Sequence, residues 1–404
     1  MARQLDLRTG RPVWMAYRAP RISVEPLARD ARAEVLVVGM GVSGAMIAEA
    51  LTAEGREVLM IDRRGPMRGS TSATTALVQF EIDQPLTTLA GMIGADRAAR
   101  AWRRSRLAVL NLKARIEALG IACDLAPRRS LYLAGNLLTG GALRAEAEAR
   151  RDAGLYADYL TRAPLAEAYG IDREGAIVSH DNLALDPRKL TAGLLRTAQA
   201  RGARLHAPVE AVGFRHHADG VETETAGGPV IRAERVVLAT GYELAPGAPS
   251  AGHQVISTWA MATAPQKARI WPGAAFMWEA SDPYLYLRAT PDGRVICGGE
   301  DEDFTDEAAR DALIGAKTAR IAEKLARLLP GLDVTPDFAW AGAFGATPTG
   351  LPLIGPLPRR PRIHAVMGYG GNGVTFSRIA AELVAAAVAG RSDRDADLFA
   401  LPKE

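Results

Sequence analysis

Glu34-Val-Leu-Val-Val-Gly39-Met-Gly41-Val-Ser-Gly44 opens a segment that closes at Val58-Leu-Met-Ile-Asp62, with the acid 23 positions past the first glycine. A short apolar run ends in three spaced glycines, a helical stretch follows with Ala48 and Leu51 on its packing face, and Gly55 turns the chain into a second apolar run. This is the spacing of a strand–helix–strand unit that holds a dinucleotide. Gly39 allows the tight turn off the strand, Gly41 lets the backbone approach a pyrophosphate, and Gly44 lets the helix lie close on the sheet. Val42 and Ser43 begin that helix, where free N–H groups and the positive end of the helix dipole meet the phosphates. Asp62 can accept hydrogen bonds from ribose hydroxyls, and its charge disfavours a 2′-phosphate. In a chain with 40 glycines the glycine pattern alone is weak; strand, packing face, turn and second strand in register carry it. At this point NAD and FAD fit equally well.

At 404 residues the chain fits two lobes, or one large α/β domain with an insertion. Its apolar fraction of 48% and the absence of any apolar run of spanning length read as a globular protein outside the membrane. The start, Met1-Ala-Arg-Gln-Leu-Asp-Leu-Arg8, carries no apolar export segment, so a cytoplasmic location is expected. Cys123 and Cys297 are the only cysteines, which excludes a disulfide framework, and six scattered histidines suggest no metal site. A net charge of +3 against 49 basic and 46 acidic residues gives no nucleic-acid footprint.

Along the chain, residues 1–30 read as an irregular arm. Helices are expected over 96–119, 142–153, 187–201, 306–329 and 374–389, the third opened by Asp186-Pro187. Strands are expected over 204–207, 209–215, 220–225, 230–233, 284–288 and 294–297, the last two joined by the turn Thr290-Pro-Asp-Gly293.

Four segments beyond the first unit now count together. They are Gly69-Ser70-Thr71-Ser72-Ala73-Thr74-Thr75-Ala76; Val236-Val-Leu-Ala-Thr240-Gly241; Gly350-Leu-Pro-Leu-Ile-Gly-Pro356 with Gly370-Gly371-Asn372-Gly373-Val374-Thr375; and Tyr284-Leu-Tyr286-Leu-Arg288. With them, over about residues 31–390, the chain resembles the FAD-dependent amine and amino-acid oxidoreductases of the D-amino-acid oxidase superfamily, especially glycine oxidase-like and sarcosine oxidase-like members. The resemblance implies an α/β fold: a Rossmann-type FAD-binding domain with a discontinuous α+β substrate domain containing a mixed or antiparallel sheet. We expect an arm at 1–30, the FAD domain at 31–87, 141–240 and 336–404, and the substrate domain at 88–140 and 241–335.

It also implies roles. Arg63 follows Asp62 at the cofactor, and the hydroxyl-rich loop Gly69 to Thr75 runs along it towards the flavin. Thr240 and Gly241 cross near the adenosine half, and Val209 holds the adenine edge with its backbone. The N–H groups of Gly370, Gly371, Asn372, Gly373, Val374 and Thr375, with the helix dipole, would stabilise the anionic reduced flavin. Arg288 would grip a substrate carboxylate, with Tyr286, Trp259 and Phe344 as pocket wall. Phe344 stands where some relatives carry a second arginine, and Thr349 where aspartate is frequent, which favours a substrate bulkier or less polar than glycine. No cysteine lies near Met367-Gly368-Tyr369 and no histidine in the loop 69–76, so the FAD is expected to be non-covalent.

The implied reaction is oxidation of the C–N bond of a small amine or amino acid, with electrons passed to O2. Alternatives are a dehydrogenase using a quinone or protein acceptor, a hydroxy-acid substrate, or a flavin-bearing subunit without turnover.

Overall fold

Val35, Leu36, Val37 and Val38 are buried, the odd-numbered pair in one apolar cluster and the even-numbered pair in another. Such burial on both faces is the signature of an interior parallel strand. In the computed structural model, which describes residues 6–248 and 252–402, the strand Ala31–Val38 indeed lies inside an eight-stranded sheet. Its parallel neighbours are Val58–Ile61 on one side and Val230–Leu238 on the other; Arg204–His206 and Arg360–Met367 extend the parallel run outwards. Leu353–Leu357 closes one edge antiparallel, and the meander Ala211–His216, Val221–Thr225 pairs back onto Val230–Leu238.

Helices Val42–Ala53, Pro187–Ala200 and Gly373–Val388 supply much of the core on one face of this sheet. The start of Pro187–Ala200 follows the sequence rule: Asp186 accepts from Arg188 N at 2.8 Å and Lys189 N at 3.0 Å.

The second sheet has ten strands. In order they run Arg8–Gly10, Pro336–Ala346, Gln254–Thr263, Val295–Glu302, Leu285–Ala289, Phe276–Glu279, Ala126–Leu133, Gly175–Ala184 and Leu77–Val78, with Asp158–Thr161 paired to Gly175–Ala184. Pairing is antiparallel except between Phe276–Glu279 and Ala126–Leu133, so the sheet is mixed. The helix Ile314–Leu328 covers one face through Ile321, Leu325 and Leu328, over Trp259, Met261 and Ala341.

Three expectations change. Residues 158–184 and 336–346, assigned above to the cofactor domain, hydrogen-bond into the ten-stranded sheet. Conversely the helix Ala95–Ala118, assigned to the substrate domain, buries Trp102, Ala108 and Leu112 in the cluster that also holds Phe376 and Ile379. The arm is not wholly irregular: Arg8–Gly10 is an edge strand on Pro336–Ala346, and Trp14 Nε1 donates to Thr74 O at 2.6 Å. The first five residues of that arm, part of the stretch read for export, lie outside the described residues.

The single helix expected over 306–329 is two, Glu307–Ala312 and Ile314–Leu328. Arg310 sits beside the break, where its carbonyl accepts from Trp259 Nε1 at 3.1 Å and its Nη1 donates to Asp6 O at 2.7 Å. Those tertiary bonds replace helix continuity.

Candidate active site: a dinucleotide groove and an acid-lined aromatic cavity

The glycines at the end of Ala31–Val38 are required by close backbone contacts. Gly39 has φ +117°, and a Cβ there would lie 2.3 Å from Ala239 O. A Cβ on Gly44 would lie 2.0 Å from Gly39 O. Gly41 is the N-cap of Val42–Ala53 and has no side chain to satisfy the first turn; Thr71 Oγ1 takes the N–H of Val42 at 3.0 Å.

A groove runs from this turn across the ends of the parallel strands. Of the residues expected at the cofactor, Gly39, Gly41, Val42, Ser43, Asp62, Arg63, Gly69, Ser70, Thr71, Thr74, Val209, Thr240, Gly241, Gly371, Gly373 and Val374 line it. Gly44 lies beneath it, and Ser72 and Thr375 face away: Ser72 Oγ donates to Met67 O, and Thr375 Oγ1 to Gln79 O. Asp62 also has a structural task, accepting from Met40 N, Arg64 N and Gly65 N at 2.7–2.8 Å. An ionised carboxylate offers about four acceptor positions, so capacity remains for a ribose hydroxyl. Glu243, which the sequence reading missed, pairs with both Arg63 and Arg64 on the groove wall.

These residues fit a dinucleotide. Two helix N-termini, at Val42 and Gly373, meet one groove. Ser70 Oγ is buried on its wall without a hydrogen-bond partner among the described residues, as a donor to a polar ligand would be.

A second cavity adjoins the groove and shares Ser70, Thr74, Tyr242 and Gly371 with it. Ala73, Thr75, Gly370 and Asn372 line the cavity as well. Its walls are aromatic: Tyr242 meets Phe344 edge-on at 6.5 Å between ring centroids, Tyr284 stacks on Tyr286 at 5.5 Å, and Trp278 completes the box. Burial raises the pKa of Tyr242, Tyr284 and Tyr286, so all three remain neutral phenols at pH 7.

Two carboxyls, Glu81 and Asp83, line this cavity, and a third, Asp301, lies behind one of its tyrosines. Asp83 Oδ2 accepts from Gly371 N at 2.7 Å, which commits one N–H expected to serve the flavin. Behind Tyr284, Asp301 Oδ2 accepts the phenol proton at 2.6 Å. Burial first, and the nearby Asp83 charge in addition, push the Asp301 carboxyl up to about 6; Thr258 and Tyr284 hydrogen bonds and Lys317 oppose the rise. Burial likewise raises Asp83. Asp301 is thus protonated in the fold at a pH where the unfolded chain is ionised. Its contribution to stability, measured against Asp301→Asn, falls as pH rises from about 4 to 6, by about 3 kcal/mol, and is constant above. Urea unfolding of both apoproteins at pH 4 and 7 checks this; a pH-independent difference refutes it.

One expected pocket residue, Arg288, is elsewhere, and another, Trp259, only borders the cavity. Arg288 is 1% exposed and does not line the cavity. It shares a strand face with Tyr286 but lies beyond the cavity's end, where Nη1 donates to Ala76 O at 2.5 Å and Leu185 O at 3.0 Å. Its guanidinium lies over Trp14 and Phe276, and burial lowers its pKa to about 9. Trp259 borders the cavity, but along its strand alternate residues take opposite faces. Thr258 and Ala260 face the cavity side; the Trp259 indole turns to the other core, bonded to Arg310 O. Tyr286 and Phe344 line the cavity as expected. Asp83, Tyr242, Trp278 and Asp301 were missed as a site.

The family model described as "DAO: FAD dependent oxidoreductase" matches residues 34–387. Among curated relatives, a probable oxidoreductase OrdL of Haemophilus influenzae is 24% identical over 386 residues, 91% of this chain and 86% of that protein. The gamma-glutamylputrescine oxidoreductase of Escherichia coli is 25% identical over 375 residues, covering 89% and 84% of the two chains. Among solved structures, glycine oxidase from Geobacillus kaustophilus superposes with a TM-score of 0.77 at 21% identity, covering 93% of this chain and 99% of that one.

Proposed function

The chain belongs to the DAO family of FAD-dependent oxidoreductases, and from that premise we propose that it oxidises the C–N bond of an amine or amino acid. The observation that carries the reading is the shared wall of Ser70, Thr74, Tyr242 and Gly371, which brings an aromatic cavity against the end of the dinucleotide groove. FAD supplies the two-electron sink that takes a hydride from the carbon next to nitrogen. The substrate gives up that hydride and one proton from nitrogen, leaving an imine that water hydrolyses.

The protein's part is placement and electrostatics. Tyr242, Tyr284, Tyr286, Trp278 and Phe344 wall the reacting carbon off from bulk water. The N-terminus of Gly373–Val388 offers the Gly373 and Val374 N–H groups and a dipole to negative charge at the groove's end. Asn372 fixes that turn, its Nδ2 donating to Glu81 O at 2.8 Å and Gln79 O at 3.2 Å. An unprotonated substrate amine needs no separate catalytic base for the carbon step.

O2 is the proposed acceptor, reduced to H2O2. No described helix is long and apolar enough to cross a membrane, and both cysteines are free and buried; we assign the protein to the cytoplasm. Non-covalent FAD is part of the reading, since the described residues lining the groove include no cysteine or histidine. Acid or heat is expected to release intact FAD into the supernatant; flavin left on the denatured chain contradicts this. Aerobic turnover should yield carbonyl product, freed amine or ammonia, and H2O2 in equal amounts. Carbonyl product without nitrogen release would contradict C–N oxidation.

A further inference from the structure

The described residues lining the cavity include no lysine, arginine or histidine. Arg288, the residue a carboxylate-bearing substrate would call for, is tied to Ala76 O and Leu185 O beyond the cavity. Acids take its place. Asp83 lies at the Gly371 turn, and Asp301 backs Tyr284; among the described residues neither carboxyl is in an ion pair. Glu81, 2% exposed and on the cavity wall, has Oε2 without a hydrogen-bond partner among the described residues. Lys317, whose charge lowers the Asp301 carboxyl, belongs to the other face of the sheet, where it donates to Glu300 O at 2.8 Å and lies over the Trp259 ring. Arg150 faces Glu81 from the core side, stacked over Trp102 and Tyr132. The remaining titratable groups are the neutral phenols of Tyr242, Tyr284 and Tyr286.

We infer that this cavity selects an amine that enters as the ammonium, gives its proton to a carboxylate or to water before hydride loss, and carries no carboxylate on the oxidised carbon. The inference rests on the C–N reading above and narrows it from amines and amino acids to amines. Aromatic faces attract an ammonium group, and the carboxyls of Glu81 and Asp83 on the wall, with Asp301 behind Tyr284, favour a positive charge over a negative one there. A substrate carboxylate in the same box would meet like charge with no cation to offset it. Gln79 Nε2 and Trp278 Nε1 are donors without partners on the wall; being neutral, they suit an uncharged oxygen further along the substrate.

The test uses pairs of compounds that differ only by the carboxylate: pyrrolidine and proline, benzylamine and phenylglycine, N-methylbenzylamine and N-methylphenylglycine. Each is titrated calorimetrically into anaerobically reduced holoenzyme, which cannot turn the compound over, and separately mixed with oxidised holoenzyme to follow flavin bleaching. The amine of a pair is expected to bind at least ten-fold tighter than its amino acid. Asp83→Asn and Asp301→Asn, checked for full flavin content, are expected to bring the ratio to within three-fold. If a variant loses flavin, the wild-type ratios decide alone. Equal or tighter binding of the amino acid in every pair overturns the inference, as does failure of all six compounds to bind. Bleaching by the amino acids would then leave the C–N reading standing. Tighter amine binding without bleaching by any compound supports the selectivity and removes the C–N reading instead.

Discussion

A Gly44→Ala protein is expected to fold yet retain less than a tenth of the wild-type flavin at equal FAD concentration. The added methyl would lie 2.0 Å from Gly39 O, well inside contact distance, and that oxygen belongs to the backbone of the phosphate turn. Neither partner is a flexible side-chain end, so the helix Val42–Ala53 must lift from the sheet or the turn must move. Overpacking of this kind costs about 1–3 kcal/mol. Here the displaced parts are the helix N-terminus and turn that line the groove, and every 1.4 kcal/mol lost from binding is about ten-fold in affinity. Gly55→Ala is the control. Its φ of +77° strains alanine, but a Cβ there meets nothing within 4 Å. That change should cost about 1 kcal/mol of stability and no flavin. The ratio of flavin to protein absorbance and the Tm of both variants measure the contrast; equal flavin loss in the two would contradict the close-contact account.

Arg288→Ala is expected to lower Tm by several degrees while KM for an amine substrate changes less than three-fold. The sequence reading anticipates the opposite, because an arginine on the strand below two tyrosines is well placed for a substrate carboxylate. In the fold its Nη1 spans the carbonyls of Ala76 and Leu185, which belong to separate segments. Alanine leaves two buried acceptors unmet at about 1–3 kcal/mol each and a large void besides. Burial of an unpaired guanidinium is itself unfavourable, which offsets part of that loss and keeps the effect to degrees rather than unfolding. A KM increase of ten-fold or more with unchanged Tm would restore Arg288 to the substrate site.

The contrast between these two variants also locates what could be read without a fold. Gly39, Gly41 and Gly44 are legible because local backbone geometry dictates them, and their spacing to Asp62 needs only the chain between. Helix Pro187–Ala200 is legible for the same reason, through Asp186-Pro187. The strands Gln254–Thr263 and Pro336–Ala346 escaped notice. Each is paired on both sides, so residues such as Trp259, Ala260, Met261 and Ala262 are all buried and no polar alternation marks them. Without those strands the domain boundaries fell in the wrong places.

The cavity was harder still. Asp83, Tyr242, Trp278, Tyr284 and Asp301 come from five separate segments, and no spacing rule links them. Nor can a sequence pattern say that Arg288 stops short of the cavity, since Tyr286 and Arg288 obey the same alternation.

The most direct test of C–N oxidation is anaerobic mixing of the FAD-loaded protein with a panel of amines, amino acids and hydroxy acids, followed at the flavin absorption band. The account predicts loss of the oxidised-flavin band with at least one amine or amino acid, and formation of its imine or the derived carbonyl in equal amount to flavin reduced. A band unchanged by every C–N compound, and bleached by a hydroxy acid, would contradict it.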